Sequence, residues 1–414
     1  MTAFTIPLIL ILLAAGSATA RDWTEFRGPT GQGLSAATRV PVRWSATTGV
    51  AWRLKIPGSG WSSPVLAGGR LYLTAAVGSA ASGGVSLRAL CIDAAGGRIL
   101  WNVEVFRPDP ADAESLHEKN GLASPTPIVA DDRLYVHFGH MGTAALDLAG
   151  TVLWRQTGVR YVPVHGNGGS PALVGGRLVF SCDGLRDPFV MALDRATGQV
   201  AWKTPRKGGA ARSFSFSTPL VIEVDGTPQI VSPGSGHVAA YDPRDGREIW
   251  RVAYGNGYSV VPRPVFAHGL LFVGTGYEGQ GLLAIAPSGA RGDVTGTHVR
   301  FTLLRGAPLT PSPLVVGDEL YLVSDNGIVN CVDARSGRVH WTERLGGAFS
   351  ASPVYAGGHI YFMSEQGVTS VIKAGKTYEP LATNDLGERA LASPAVANGA
   401  IFLRTESHLW RVGG

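Results

Sequence analysis

Ala192-Leu-Asp-Arg-Ala-Thr-Gly-Gln-Val-Ala-Trp202 decides the fold, because versions of this stretch recur along the chain. Five copies place an aspartate seven or eight residues before a tryptophan, with a glycine between them: Asp93/Trp101, Asp147/Trp154, Asp194/Trp202, Asp242/Trp250 and Asp333/Trp341. A two-residue pair lies upstream of such copies, and it consists of a serine or threonine, once an arginine, followed by a proline. The eight pairs are Ser63-Pro64, Ser124-Pro125, Ser170-Pro171, Thr218-Pro219, Arg263-Pro264, Ser312-Pro313, Ser352-Pro353 and Ser393-Pro394, with prolines 40 to 61 residues apart. This repeat length predicts a propeller, a solenoid or another array of similar units.

Each repeat contains four short apolar runs, which predict four antiparallel strands. In the third copy the runs are Ala172-Leu-Val, Leu178-Val-Phe, Val190-Met-Ala-Leu and Val200-Ala-Trp202. Stacked helix pairs are excluded, because no segment after the first twenty residues keeps a helical apolar period for three turns. The sequence therefore predicts an all-β, eight-bladed β-propeller of four-stranded antiparallel blades.

The two ends of the chain predict how the ring closes. The eighth copy, residues 393–412, supplies about three strands, and Val50-Ala-Trp52-Arg-Leu54 resembles the missing fourth. Pairing of the N- and C-terminal strands in one blade would remove the open sheet edges. We therefore expect residues 21–414 to form a single domain.

The first twenty residues have the features of a secretory signal peptide. The run from Phe4 to Leu13 is too short to span a bilayer, and Ala18-Thr-Ala20 supplies a small-x-small cleavage pattern. The stretch before that run contains neither lysine nor arginine. We expect a signal peptide over 1–20 and a periplasmic or secreted protein, with membrane attachment only if the segment stays uncleaved.

Charge and cysteine usage exclude several functions. The net charge is +5, but no Lys/Arg run exceeds two residues, so we expect no nucleic-acid partner. Cys91 and Cys331 occupy positions where other copies have alanine, and Cys182 ends a strand. All three are predicted to be free, packed thiols.

No CxxC motif and no His/Cys cluster is present, so the sequence predicts no metal site.

Two copies depart from the pattern. The fifth has Ala286 and Phe301 at the Asp and Trp positions, and the seventh has Ile372 and, near the Trp position, Tyr378. Because these losses are tolerated, we interpret the repeat Asp and Trp as structural: Asp binds turn N–H groups and Trp packs between blades. The long first spacing comes from an insertion at 102–123, a length typical of functional or poorly ordered loops.

The repeat Ala-h-Asp-x-x-(Thr/Ser)-Gly-x-h-x-Trp, where h is apolar, resembles the pyrroloquinoline-quinone (PQQ) repeat of PQQ-like β-propellers. The resemblance covers essentially all of 23–412. The opening Trp23-x-x-Phe-Arg-Gly-Pro-x-Gly-x-Gly33 is also similar to the start of exported bacterial PQQ-like proteins. This family implies the propeller fold but two kinds of function.

One kind is the quinoprotein dehydrogenases, which oxidise alcohols or sugars with PQQ and Ca²⁺. The other is cofactor-free propellers that bind proteins, such as the lipoprotein of the outer-membrane β-barrel assembly machinery. This chain lacks the adjacent cysteines of the large alcohol-oxidising members, and Asp183, Asp187, Glu118 and Asn120 have the spacing of no known Ca²⁺ ligand set. We therefore expect a non-catalytic scaffold without a cofactor. The alternatives are a PQQ/Ca²⁺-dependent dehydrogenase and a carbohydrate-binding propeller.

The loops that enter the innermost strands supply the candidate binding site. In a propeller these loops line one mouth of the central channel, and here they are rich in polar and basic residues. The candidate funnel residues are His117, Asn120, Tyr161, His165, Asn167, Arg212, Ser213, Tyr258 and Arg263. Rim hydration and blade-to-blade hydrogen bonds would also explain them. As a binding site they predict a protein, a small polar or anionic ligand, or a glycan as partner.

Overall fold

The computed structural model describes residues 22–79, 84–113, 116–207, 210–279 and 281–414. The predicted signal peptide, residues 1–20, lies outside the described residues. Within them the chain forms eight antiparallel β-sheets, which are the blades of a propeller. The prediction of an all-β, eight-bladed propeller is confirmed.

The first strand of the chain, β1 (Val50–Lys55), belongs to the last blade. Blade 1 consists of β2 (Val65–Ala67), β3 (Arg70–Ser79), β4 (Gly84–Asp93) and β5 (Arg98–Phe106). Blade 2 consists of β6 (Ile128–Ala130), β7 (Arg133–His137), β8 (Thr143–Asp147) and β9 (Val152–Gln156). Blade 3 consists of β10 (Ala172–Val174), β11 (Arg177–Cys182), β12 (Phe189–Asp194) and β13 (Val200–Pro205). Blade 4 consists of β14 (Leu220–Val224), β15 (Thr227–Pro233), β16 (His237–Tyr241) and β17 (Glu248–Ala253).

Blade 5 consists of β18 (Val265–Ala267), β19 (Leu270–Gly274), β20 (Leu282–Ile285) and β22 (Val299–Leu303), and β21 (Gly292–Asp293) extends blade 4. Blade 6 consists of β23 (Leu314–Val316), β24 (Glu319–Val323), β25 (Ile328–Asp333) and β26 (Val339–Arg344). Blade 7 consists of β27 (Val354–Ala356), β28 (His359–Met363), β29 (Val368–Lys373) and β30 (Pro380–Asp385). Blade 8 consists of β31 (Ala395–Ala397), β32 (Ala400–Arg404), β33 (His408–Val412) and β1. Among the described residues, two short 3-10 helices, Pro110–Ala113 and Gly139–Met141, lie in connecting segments.

Blade 8 closes the ring by joining the two ends of the described chain. Strand β1 pairs antiparallel with β33 from Val50↔Val412 to Lys55↔His408. The N–H of Gly413 adds a hydrogen bond to the carbonyl oxygen of Gly49 at 3.0 Å. The predicted pairing of the terminal strands is therefore confirmed.

Five of the repeat tryptophans hold a blade to the next one. The indole Nε1 of Trp154 donates to the carbonyl oxygen of Arg195 in the following blade at 3.2 Å, and the side chain of Asp194 accepts the N–H groups of Ala196 and Thr197 in the same turn. The tryptophans of four other blades do the same: Trp52 to Ala94, Trp101 to Leu148, Trp202 to Pro243 and Trp341 to Gly375. The structural interpretation of the Asp and Trp residues is confirmed.

The fifth blade replaces this contact with an added strand. Its long turn folds back so that β21 pairs parallel with β17 of blade 4, and Ser288 Oγ donates to Asp225 at 2.8 Å. Trp250 of blade 4 is fully buried beneath this cover and donates to Gln229 within its own blade instead. Substitution of the repeat Asp is thus compensated by backbone pairing.

The register of the seventh blade corrects the sequence alignment. Strand β28 pairs His359 with Lys373, which is the pairing that Glu319 and Asp333 make in blade 6. Lys373, not Ile372, therefore occupies the Asp position. Tyr378 lies in the turn before β30 and packs on Trp341 of blade 6 with ring centroids 5.2 Å apart.

The residue before each innermost strand forms a second, inner seam between blades. Six backbone N–H groups donate across blades to a hydroxyl oxygen at 2.9 or 3.0 Å: Ser63 to Thr126, Thr126 to Ser170, Ser170 to Thr218, Arg263 to Ser312, Ser312 to Ser352, and Ser352 to Ser393. In blade 2 this residue is Thr126, so the repeat pair is Thr126-Pro127, and its assignment to Ser124-Pro125 was wrong by two residues. The hydroxyl of Ser124 bonds locally to Gly121.

The three cysteines are free and buried, as the sequence predicts. Among the described residues, the structure has no helix with the length and apolar character needed to cross a membrane.

Candidate functional site

The loops that enter the innermost strands surround a cavity of about 380 Å³ on the propeller axis. Its wall is a ring of hydroxyl groups from seven blades, and above the ring lies a rim of aromatic side chains. The hydroxyls belong to Ser63, Thr126, Ser170, Thr218, Ser312, Ser352 and Ser393. The aromatic and imidazole side chains belong to Trp61, His117, His165, Phe214, Phe216, Tyr258 and Tyr277. We call this cavity the funnel.

The ring hydroxyls have hydrogen-bonding capacity to spare. Most of these oxygens already accept one backbone N–H from a neighbouring blade. A hydroxyl that accepts a bond can still donate its own proton. The ring therefore presents several O–H donors to whatever enters the funnel.

The N-terminal segment closes the channel below the funnel. Residues 22–37, which we call the plug, cross from blade 1 to blade 7 inside the innermost strands. Trp23 exchanges backbone hydrogen bonds with Leu66 of β2, and Ser35 donates to Tyr355 of β27. Between these points Phe26 lines the cavity and forms its floor. The funnel is therefore blind, with one mouth.

Arg212 and Tyr258 form the basic part of the rim. The guanidinium of Arg212 donates to the Tyr258 hydroxyl at 2.7 Å, and its Cζ lies 4.7 Å from the centre of that ring. The tyrosine fixes the cation beside the mouth without neutralising it. The second lining cation, Lys119, is instead paired with Glu365 at 2.7 Å. Burial lowers the pKa of Lys119, but the Glu365 carboxylate outweighs this effect and raises it.

His117, His165 and Asn120 form the rim on the side of blades 2 and 3. The imidazoles of His117 and His165 meet edge to face at 5.4 Å, and Asn120 Nδ2 donates to the His165 carbonyl oxygen at 2.9 Å. Burial, together with the neighbouring His117, holds the pKa of His165 below its ordinary value. This side of the rim is therefore a polar and aromatic surface.

Five of the nine predicted residues line the funnel: His117, Asn120, His165, Arg212 and Tyr258. The other four lie nearby in different roles. Tyr161 donates to Asn167 at 2.7 Å beside a much smaller adjacent cavity. Ser213 donates to the carbonyl oxygens of Gly184 and Leu185 and ties two loops together. Arg263 is buried below the floor, where it contacts the plug.

Sequence reasoning missed several lining residues, namely Phe26, Trp61, Lys119, Phe214, Phe216 and Tyr277. Trp61 had a usable signal, because it lies two residues before the Ser63-Pro64 pair. Tyr277 lies between β19 and β20 and reaches the rim by backbone pairing with Tyr258. Phe26 had none, since its place in the funnel depends on a contact between the plug and distant blades. The ring hydroxyls were recognised only as part of the repeat.

The funnel's chemistry does not match a calcium–quinone site. Among the described residues, no aspartate or glutamate side chain lines the cavity. Calcium in proteins is held by six to eight oxygen ligands, with carboxylates prominent among them. No group of three His, Cys, Asp or Glu residues in the described ranges is arranged to bind a metal. Carboxylates such as Glu365 lie behind the lining, where Lys119 and Ser350 engage them.

A second cavity of about 400 Å³ adjoins the rim. Trp61 and Asn120 line both cavities and form the partition. The far wall of the second cavity is the insertion predicted over 102–123, of which 102–106 continue strand β5 and 116–122 line this cavity. Arg389 lies over the Trp61 ring at 5.7 Å and donates to the Glu118 carbonyl oxygen.

The sequence profile of the family described as outer membrane protein assembly factor BamB matches this chain. The matched regions are 34–157, 86–343, 234–377 and 325–412, which together cover the whole propeller. The chain belongs to this family.

One curated relative is the outer membrane protein assembly factor BamB of Shewanella oneidensis, 26% identical over 170 residues. The alignment covers 38% of this chain and 39% of the relative, so it spans well under half of that protein's length. Among solved structures, BamB from Moraxella catarrhalis has a TM-score of 0.62 at 15% identity, over 88% of this chain and 97% of that one. The quinohemoprotein alcohol dehydrogenase of Comamonas testosteroni has a TM-score of 0.69 at 13% identity, over 97% and 82%. Both structural likenesses concern the fold alone.

Proposed function

We propose that the protein is an exported, non-catalytic scaffold whose funnel binds an acidic, acceptor-rich segment of a partner protein. Family membership supports the scaffold role, because the family is named for an outer membrane protein assembly factor. The predicted signal peptide supports a periplasmic or secreted location. Neither points to a particular partner.

The observation that carries this proposal is that the funnel combines hydroxyl donors and a cation with no lining carboxylate among the described residues. Its wall offers O–H donors, its rim offers the Arg212 guanidinium, and no carboxylate of the described residues lines it. Such a surface favours ligands that bring acceptors, namely carbonyl and carboxylate oxygens. The aromatic rim supplies apolar area around these polar groups, as binding pockets commonly do.

The shape supports a chain segment as ligand. The funnel and the second cavity lie side by side and share the lining residues Trp61 and Asn120. An extended peptide that crosses this partition can occupy both cavities, whereas a rigid planar quinone fits only one of them. No carboxylate of the described residues lines the funnel, which also disfavours a bound Ca²⁺ ion there, so we propose no cofactor.

The test is a titration of the purified protein with fluorescein-labelled decapeptides followed by fluorescence anisotropy. We expect an Asp/Glu-rich peptide with one aromatic residue to bind, and its Lys-rich counterpart not to bind. Arg212→Gln should weaken binding about tenfold or more, because it removes the rim cation, whereas Arg300→Gln on the outer strand β22 should leave it unchanged.

Parallel titrations decide between this function and its alternatives. Stoichiometric binding of PQQ with Ca²⁺, followed by dye reduction with an alcohol or an aldose, would show that the protein is a dehydrogenase and not a scaffold. Binding of neutral oligosaccharides in preference to acidic peptides would show that the ligand of the funnel is a glycan and not a partner protein.

A further inference from the structure

A second polar site lies on the propeller axis, below the funnel floor. Arg27 of the plug is fully buried, with φ of 66°, in the left-handed region that few residues other than glycine adopt. Its guanidinium makes one long hydrogen bond, from Nη2 to the Pro353 carbonyl oxygen at 3.4 Å. Its Nε and Nη1 are buried without a hydrogen-bond partner among the described residues.

Arg263 brings a second guanidinium to the same place. It is 2% exposed and stands where the other blades have serine or threonine. Its Nε donates to the Pro219 carbonyl oxygen at 3.1 Å and its Nη1 to the Phe26 carbonyl oxygen at 2.7 Å. Its Nη2 lies 3.4 Å from Glu25 Oε2. The plug therefore sits on this side chain.

The charges at this site do not balance. Two buried guanidinium groups lie in the same region, because Arg263 contacts the carbonyl oxygen of Phe26, the residue before Arg27, and Glu25 is the carboxylate that contacts Arg263. Burial, and then repulsion by Arg263, lower the pKa of Arg27 to about 9. At physiological pH Arg27 remains charged, so the site carries an excess positive charge. A buried charge without a counter-charge, and buried N–H groups without acceptors, are both strongly destabilising.

The plug is shaped to make room for these two side chains. A Cβ atom on Gly33 would lie 2.7 Å from Arg27 Nη2, and one on Gly31 would lie 2.5 Å from Arg263 Nη1. Both glycines have positive φ, of 85° and 65°. The plug backbone therefore lies directly against both guanidinium groups, and glycine is required at both positions.

We propose that Arg27 and Arg263 hold a small inorganic anion, represented by chloride, on the propeller axis beneath Phe26. The anion accepts the N–H groups of Arg27 that lack a partner and neutralises the excess charge. It fastens the plug to the blades and so supports the funnel floor from below. This site is separate from the funnel, and the proposal does not depend on what the funnel binds.

Bromide, which can replace chloride, tests the proposal directly. A crystal of the protein grown in sodium bromide should show an anomalous peak within hydrogen-bonding distance of Arg27 Nε or Nη1. In solution, exchange of sodium gluconate for sodium chloride at constant ionic strength should raise Tm by about 3 °C or more.

Two variants distinguish chloride binding at this site from a general effect of salt on Tm. Arg27→Met should abolish the Tm difference between chloride and gluconate. The control is Arg404→Met, because Arg404 is equally buried but donates to Ser62 O at 3.0 Å and to Ser62 Oγ. This variant should lose stability and keep the full chloride effect.

Two results would overturn the proposal. One is a bromide crystal with no anomalous peak at Arg27, or with an ordered water in its place. The other is a chloride effect on Tm that is the same in Arg27→Met as in the unaltered protein. Because the crystal and the salt exchange both use the unaltered protein, failure of a variant to fold leaves the test intact.

Discussion

Several outer seams between blades depend on one aromatic ring and one glycine, and the seam between blades 2 and 3 is an example. The Trp154 ring lies flat against Gly198 of the next blade, and a Cβ atom there would come within 2.5 Å of Trp154 Cε3. Gly198 also has φ of 75°. Two separate requirements, a left-handed backbone and clearance for the indole, therefore select glycine at this position.

Replacing this glycine separates the two requirements. Gly198→Ala should reduce the free energy of unfolding by roughly 3 kcal/mol, about 1 from the left-handed backbone and the rest from displacing the indole. The matched control is Gly226→Ala, since Gly226 has φ of 72° but open space where its Cβ would be. It should lose only about 1 kcal/mol. Chemical denaturation of both variants gives the comparison, and equal losses would show that the Trp154 contact adds nothing.

The sequence alone does not show which residue of blade 2 contributes to the inner seam. Ser124-Pro125-Thr126-Pro127 contains two overlapping candidates for the residue before β6. The hydroxyl that joins blades 1 and 2 belongs to Thr126, which accepts the N–H of Ser63 at 2.9 Å. Both pairs satisfy the pattern, and only the pairing of β6 with β7 decides between them.

Removing one hydroxyl tests this assignment. Thr126→Val keeps the side-chain shape but leaves the buried N–H of Ser63 without an acceptor, which should cost about 2 kcal/mol of unfolding free energy. Ser124→Ala, two residues away, removes only a local bond to Gly121 and should cost less than about 1 kcal/mol. If the order of the two losses measured by urea denaturation were reversed, the inner seam would have been assigned to the wrong hydroxyl.

The strands and their number could be predicted from the sequence because each depends on a local pattern. Alternating apolar residues, turn glycines and the Asp–Trp spacing act over about eleven residues or fewer, as in 192–202. The funnel was only partly predictable. Its loops could be located, but the floor residue Phe26 depends on a bond from Arg263, 237 residues away. Arg263 itself departs from the repeat, yet the departure alone does not reveal whether it faces a ligand or the plug.

At the scale of the whole molecule, residues 22–55 have two separate structural roles. Residues 22–37 form the plug, and β1 completes blade 8. The connecting residues fasten to blade 7: Trp44 N donates to Asn384 at 2.8 Å, and Tyr361 donates to the Pro41 carbonyl oxygen at 3.0 Å. The same short region therefore closes both the channel and the ring, and the two closures can be broken one at a time.

Two truncated proteins separate closure of the channel by the plug from closure of the ring by β1. A protein that begins at residue 38 keeps β1, so we expect a monomer with a complete ring, a lower Tm and a funnel without its floor. A protein that begins at residue 57 lacks β1, and β33 then becomes an open edge that pairs with other chains. Light scattering after size-exclusion chromatography should show oligomers for this protein alone. A synthetic peptide of residues 49–57 should return it to a monomer, because the peptide can occupy the place of β1. If both truncated proteins stayed monomeric, the pairing of β1 with β33 would not be what keeps the ring closed.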